Sequence, residues 1–304
     1  MDTTAPFQTH RPRLLALAYR LLGSRADAED VVQDAWLRWH QADRSAIADP
    51  EAWLVTATTR LGIDRLRALR ARREHYVGPW LPEPARIEDG DAFHDERADQ
   101  APGPAQAAET AEQVSLAFLA VLERLGAEER AAFLLKEAFD YDYAQIAALL
   151  GQSETNCRQM VHRARQRLAA ARPRFEVSPQ RHRALLEKFM HAAQLGDRAA
   201  LEDLLHADAR LVSDGGGKAL AVTRPLLGSE RIARLFWAAY RRHDATVAWR
   251  IGRVNGEPAI LRYRGNVLVA VMVAITDGER ITELFNVANP DKLGVTNAAA
   301  AASW

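Results

Sequence analysis

The sequence has a single cysteine, Cys157, among 304 residues. That excludes an internal disulfide framework and a cysteine-rich zinc site. It has no net charge, because 40 basic and 40 acidic residues cancel, so only local charge is informative. No uncharged apolar run is long enough to span a bilayer. The opening residues, MDTTAPFQTHRPR, lack the apolar core of a signal peptide. A soluble, cytoplasmic protein is expected. The nine histidines are scattered and show no paired carboxylate motif, so neither a metal site nor a cofactor is expected. There is no internal repeat. What the chain does have is apolar content, 48% hydrophobic, over a length that suits two or three packed domains.

The most informative stretch runs from Tyr143 to Leu168. Tyr143, Ile146, Ala147 and Leu150 recur at helical spacing, and Gly151 supplies the left-handed residue that ends such a helix. Ser153 or Thr155 then caps a second helix. Its apolar stripe is Cys157, Val161, Ala164 and Leu168, which makes the cysteine a buried core residue. Thr155, Arg158, Gln159, His162 and Arg163 face the other way and suit phosphates and base edges in a major groove. From Cys157 to Arg172 there are five arginines and no acid. DNA is therefore the leading partner. The competing reading is an ordinary helical hairpin with a solvated basic face.

Upstream, residues 7 to 75 read as helices. One carries Leu14, Leu15, Ala18, Leu21 and Leu22 and ends at Gly23. A second, Asp27 to Trp39, packs through Ala28, Val31, Val32, Ala35, Trp36 and Trp39. Pro50 opens a third, which grows increasingly basic from Ala52 to Arg73. Residues 76 to 110 read as an irregular acidic linker containing WLPEP; between Tyr76 and Glu112 it has nine acids and two arginines. Helices return over 111 to 172. After Pro173, helices at Ala184–Leu195, Arg198–Leu205 and Ser229–Arg241 mix with six strands. The strands are expected at Ala209–Ser213, Leu220–Thr223, Thr246–Val254, Ala259–Arg264, Val267–Thr276 and Arg280–Val287. Hairpin turns fit Asn255-Gly256, Gly265-Asn266 and Asp277-Gly278. The pattern is a compact α+β domain over 173 to 293, with 294 to 304 expected as a disordered tail.

The helix from Asp27 to Trp39 differs from its basic neighbours. Asp27, Glu29, Asp30, Gln33 and Asp34 form an acidic surface beside Trp36, suited to a basic protein partner. A solvated face with acids near the helix N-terminus accounts for the same residues.

RLLGSRADAEDVVQDAWLRW, DPEAWLVTATTRLGIDRLRALRARR and FDYDYAQIAALLGQSETNCRQMVHRARQRL, in that order and spacing, resemble an extracytoplasmic-function (ECF) sigma factor. The first two blocks resemble sigma region 2 and the third resembles region 4. The resemblance implies that Asp27, Glu29, Asp30, Gln33, Asp34 and Trp36 dock on core RNA polymerase. It implies that Asp49, Trp53, Arg60, Arg65 and Arg67 serve the −10 element, where many members carry Asn in place of Asp49. It implies that Thr155, Arg158, Gln159, His162 and Arg163 read the −35 element. WLPEP, DGGGK (Asp214 to Lys218) and NPDKL (Asn289 to Leu293) resemble the ECF41 or SigJ-like group, whose C-terminal extension resembles the SnoaL-like branch of the NTF2-like fold. This implies two all-α sigma domains and an α+β cone, with the cone acting as a built-in regulator. Trp80, Leu81, Pro82, Asp214, Lys218, Asn289, Pro290, Asp291 and Lys292 are expected to form its regulatory contact.

The C-terminal domain invites comparison with enzymes, since Asp214, Lys218, His191, Trp237 and Arg241 offer polar or aromatic groups. None is paired at a diagnostic catalytic spacing, and DGGGK lacks a phosphate-loop context. No enzymatic activity is expected; a small-molecule ligand in this domain is the further partner the reading admits. Two alternatives remain at this stage. One is a ligand-responsive DNA-binding regulator that does not engage polymerase. The other is a SnoaL-like enzyme fused to a DNA-binding half.

Overall fold

The computed structural model describes residues 5–89, 114–169, 177–242 and 246–294. The chain divides into two units. Residues up to Glu74 group with Val121–Ala170, whereas the segment from His75 groups with Ser115–Ala120 and with everything from Ala171 onward.

The first unit is helical. Helices α1 (Ala5–Leu22), α2 (Arg25–Gln41) and α3 (Pro50–Arg73) form the N-terminal half. Gly23, with φ 69°, stops α1. Ser24 then caps α2 by accepting from Asp27 N at 3.4 Å. The buried face of α2 is Ala28, Val31, Val32, Ala35 and Trp39. Trp36, expected on that face, is only partly buried. Asp49 caps α3, with Pro50 at its first turn. Helices α1 and α3 meet at Gly62, where a Cβ would come within 2.5 Å of Leu21.

After α4 (Leu116–Leu122) come α5 (Ala127–Ala138), α6 (Tyr143–Leu150) and α7 (Glu154–Ala169). Asp142 and Gln145 make a reciprocal capping box at the start of α6, and Gly151, φ 66°, ends it. Ser153 accepts from Asn156 N at 3.2 Å and so caps α7. The α7 stripe of Cys157, Val161, Ala164 and Leu168 is buried, giving the helix-turn-helix its core.

The second unit is a seven-stranded sheet with helices against it. Its strands are β1 (Ile87–Asp89), β2 (Leu205–Asp214), β3 (Leu226–Leu227), β4 (Val247–Val254), β5 (Glu257–Arg264), β6 (Val267–Thr276) and β7 (Ile281–Val287). They lie in the order β1-β4-β5-β6-β7-β2-β3. Neighbours are antiparallel except β2 and β7. The β4–β5 hairpin turns through Asn255 (φ 51°) and Gly256 (φ 82°), the left-handed pair that the strand twist favours. Helices α8 (Pro179–Leu195), α9 (Arg198–Leu204) and α10 (Ser229–Arg241) bring Leu186, Phe189, Leu201, Ile232 and Phe236 onto Ile260, Met272 and Leu284 of the sheet. Full burial of each such side chain stabilises by about 1.5–3 kcal/mol. A short α11 (Pro290–Leu293) follows β7. This is the α+β architecture that the NTF2-like resemblance implied.

Two stretches differ from expectation. Leu220–Thr223 forms no strand; Leu220 is 90% exposed, and the edge of β2 is taken by the two-residue β3 instead. The segment after Tyr76 is not irregular throughout, because Ile87–Asp89 pairs antiparallel with β4 as an edge strand. Most of the acidic run, the boundary at Pro173 and the C-terminal tail lie outside the described residues.

Candidate nucleic-acid interface

On α7, Thr155, Arg158, Gln159, His162 and Arg163 are all exposed, opposite the buried stripe. Arg158 is steadied by Glu154 at 3.0 Å and lies over the Tyr143 ring at 5.2 Å. His162 contacts Gln166 at 3.0 Å. Arg163 sits 3.6 Å from Glu129 of α5, which also pairs with Arg167 at 2.5 Å. Burial pushes the Cys157 thiol up, consistent with a packing role.

The basic face of α3 is occupied within the same unit. Arg60 Nε donates to the Leu149 carbonyl at the end of α6, at 3.0 Å. Arg65 pairs with Asp27 at 2.5 Å and Asp30 at 3.3 Å on α2. Arg67 pairs with Glu128 at the start of α5, at 2.6 Å. Arg65 therefore joins two residue sets that the sequence separated, the acidic face of α2 and the basic face of α3. Glu29, Asp30, Gln33 and Asp34 stay exposed, while Asp27 is partly buried. Trp36 stacks on His40 at 5.5 Å, and Trp53 tilts against the buried Trp39 at 5.5 Å. The Asp49 carboxylate accepts from Ala52 N at 3.0 Å, so it is committed to the helix cap.

Sequence reasoning missed a buried network beside this face. Arg130 of α5 is fully enclosed. It donates to the Arg20 carbonyl of α1 at 3.0 and 2.8 Å and pairs with Glu123. Glu123 also holds Arg73 of α3 at 2.8 Å. Burial alone would raise the Glu123 carboxyl, but Arg130 and Arg73 outweigh it and hold the group below its ordinary value. The available signal was a lone acid ending the apolar run LAFLAVLE. Arg67, Arg70, Arg163 and Arg167 line a cavity of about 360 Å³ at the start of α5.

The motifs WLPEP, DGGGK and NPDKL converge in the second unit. Asp214 closes β2 with no exposed surface. Its carboxylate accepts from Tyr76 Oη at 2.6 Å, from Leu81 N at 2.8 Å and from Lys292 Nζ at 2.6 Å. Lys292, 5% exposed, also donates to the Leu81 carbonyl and stands 3.9 Å from the centre of the Trp80 ring. Asn289 donates to Tyr76 Oη at 2.8 Å and caps α11. Gly216 makes room: at φ 58°, a Cβ there would lie 2.3 Å from Asn289 Nδ2 and 2.9 Å from Tyr76 Oη. Leu81 and Pro82 are buried. Lys218 and Asp291 pair at 2.5 Å on the surface, and Pro290 is exposed at the first turn of α11. Burial, then the Asp214 contact, drives the Tyr76 phenol upward. Asn255 extends the dock by accepting from Ala85 N and Arg86 N at 2.8 and 3.1 Å. Asn255 was visible in the sequence only as a turn residue.

A helix-turn-helix and a second basic helix beside an acidic one define a sigma factor of the sigma-70 class. Residues 6–72 match the family model for Sigma-70 region 2, and residues 115–168 match that for Sigma-70, region 4. The chain belongs to the ECF RNA polymerase sigma factors. It is 37% identical over 297 residues to ECF RNA polymerase sigma factor SigJ of Mycobacterium tuberculosis, covering 94% of this chain and 91% of that protein. It is 32% identical to the probable ECF sigma factor SigI of the same species, covering 95% and 94%. The crystal structure of the M. tuberculosis SigJ protein superposes with a TM-score of 0.71 at 34% identity, over 96% of this chain and 98% of that one.

Proposed function

We propose that this chain binds core RNA polymerase and directs it to promoters, with α7 reading the upstream element and α3 serving the −10 element. The exposed face of Thr155, Arg158, Gln159, His162 and Arg163 carries this reading, since it puts base-reading and phosphate-binding groups on one capped helix. Glu29, Asp30, Gln33 and Asp34 supply the surface for the polymerase. No helix among the described residues is long and apolar enough to cross a membrane. The task needs no catalytic group from this chain, in keeping with its sigma-factor relatives.

The fused domain is the regulator in this reading. Its dock on Tyr76 to Arg86 holds the chain that follows α3, which limits the free length available between the two DNA-binding helices. With Arg60 and Arg67 spent on α6 and α5, the first unit is in a closed state, and promoter engagement requires those contacts to exchange for DNA. Promoter-specific transcription with purified core polymerase tests the reading. The full chain should support initiation at a selected promoter, and loss of sequence preference in α7 variants should follow. Failure to bind core polymerase in any state would refute it.

A further inference from the structure

Arg262 is a partly buried cation on the helix-covered face of the second unit's sheet, with no carboxylate partner among the described residues. It lies on β5 two residues from Ile260, so both point to the sheet face that α8–α10 cover. Its guanidinium lies 5.4 Å from the Trp249 ring centre. One of its nitrogens donates to Asn286 Oδ1 at 3.2 Å, while its enclosed Nε has no partner. No carboxylate among the described residues pairs with it. Burial pushes the group down to about 10, which still leaves it charged at neutral pH. A guanidinium offers five N–H donors; here one neutral amide oxygen receives one of them.

One neighbour on the same face, Ser213, keeps a donor to give. Asn286 Nδ2 is spent on Ser213 Oγ at 2.8 Å, which fixes the amide with its oxygen toward Arg262. Ser213 is buried; its oxygen accepts from Asn286, and its hydroxyl proton is left to give. Strand pairing sets Ser213 opposite Asn286, Asn286 opposite Met272, and Trp249 opposite Arg262. The row therefore presents an unneutralised cation and an unspent hydroxyl donor within an apolar wall of Trp249, Ile260 and Met272.

We propose that this row is a binding site for a small carboxylate. A cation drawn partly out of water without a counter-ion is destabilising, and a bound anion offsets part of that cost. A planar carboxylate matches the guanidinium fork through two parallel bonds. Its single negative charge balances the single cation, whereas a phosphate group would bring about 1.5 to 2 charges into the same apolar wall. The site is independent of the linker dock and of the sigma-factor reading.

The test uses the full-length protein. Calorimetric titration and thermal melts are run with acetate, propionate and inorganic phosphate at constant ionic strength. Acetate and propionate should bind saturably and raise the melting temperature, and phosphate should not. Arg262→Met should melt at or above wild type in the absence of ligand, because it removes a partly buried charge with no carboxylate partner among the described residues, and should lose carboxylate affinity by about tenfold to a hundredfold. Ser213→Ala should weaken binding while leaving the fold intact. The proposal is overturned by absence of saturable carboxylate binding to wild type, by an equal response to phosphate, or by Arg262→Met either retaining the response or failing to fold. That last outcome would make Arg262 a structural residue.

Discussion

Asp214→Asn tests whether the linker is held by charge. The substitution keeps the shape of the side chain but removes the anion that Tyr76, Leu81 N and Lys292 share. An amide offers one acceptor oxygen, so at least one of the three donors faces an NH₂ group. Lys292, 5% exposed, loses its carboxylate partner and keeps its bond to the Leu81 carbonyl and its places over the Trp80 and Tyr76 rings. Breaking a buried ion pair from one side costs about 3–5 kcal/mol. The backbone bonds from Ala288 N and Asn289 N to the Asp214 carbonyl, 2.7 and 2.9 Å, survive the change. The loss should therefore fall on the docked segment while the sheet persists. At about 1.4 kcal/mol per factor of ten, exchange of the Leu81 amide should accelerate by about a hundredfold to a few thousandfold. Hydrogen exchange read by mass spectrometry on peptides spanning Tyr76–Arg86 measures this directly, with β6 peptides as the control. Replacing both partners, Asp214→Leu with Lys292→Met, should cost less than Asp214→Asn alone, since it leaves no orphaned charge. Wild-type exchange at Leu81 in Asp214→Asn would refute the charge-held dock.

Arg158→Ala should relax sequence preference by about 1–3 kcal/mol at one upstream position; a binding selection in which all sequences weaken equally would reassign Arg158 to phosphate. Glu123→Gln should leave Arg130 and Arg73 without their shared anion and lower the melting temperature of the first unit, whereas Glu128→Gln should change it little; equal effects in calorimetry would contradict the burial argument. Burial, then Asp89, pushes the Tyr263 phenol to about 12, and Tyr76 is raised as well. The unfolded tyrosines ionise first, near about 10, so this stability is present below that pH and is lost as pH rises toward about 12. Ultraviolet phenolate titration showing all tyrosines ionising together near about 10 would exclude it.

Much of this was legible because short-range chemistry set it. Pro50 and Gly151 mark helix ends locally, so the start of α3 and the end of α6 were legible from sequence, while the Asp49 cap and the Asp142–Gln145 capping box, equally local, went unread. The buried stripe of α7 followed from spacing. The convergence of WLPEP, DGGGK and NPDKL was expected from resemblance; the physical cause is visible only in three dimensions, where Asp214 gathers donors from both other motifs. Leu220–Thr223 misled because alternation alone does not say whether a neighbouring strand is present. Arg130 and Arg262 were illegible for a related reason. An arginine in a mixed sequence reads as surface, and only packing reveals that its partners are the Arg20 carbonyl in one case and Asn286 and Trp249 in the other.

The contacts that close the first unit are unequal, and their burial decides which of them matter. Arg67 and Glu128 are 55% and 43% exposed, so their attraction is screened and contributes about 0–1 kcal/mol. In the proposed promoter complex, DNA phosphates would replace Glu128 at little cost. Arg73, Glu123 and Arg130 are different, at 14%, 16% and 0% exposure. Separating them strands ions that have already left water. The closed state therefore combines an easily exchanged surface with a costly buried core. If α3 is to be freed for DNA, Arg73 must leave Glu123 while Arg130 keeps it, because Arg130 is also tied to the Arg20 carbonyl by two bonds. That divides the network at Arg73, the end of α3, immediately before the segment that the fused domain holds. If the fused domain regulates as proposed, a change in its dock on Tyr76–Arg86 should be felt first at Arg73, and a shift in the population of the closed state is the form we propose for it.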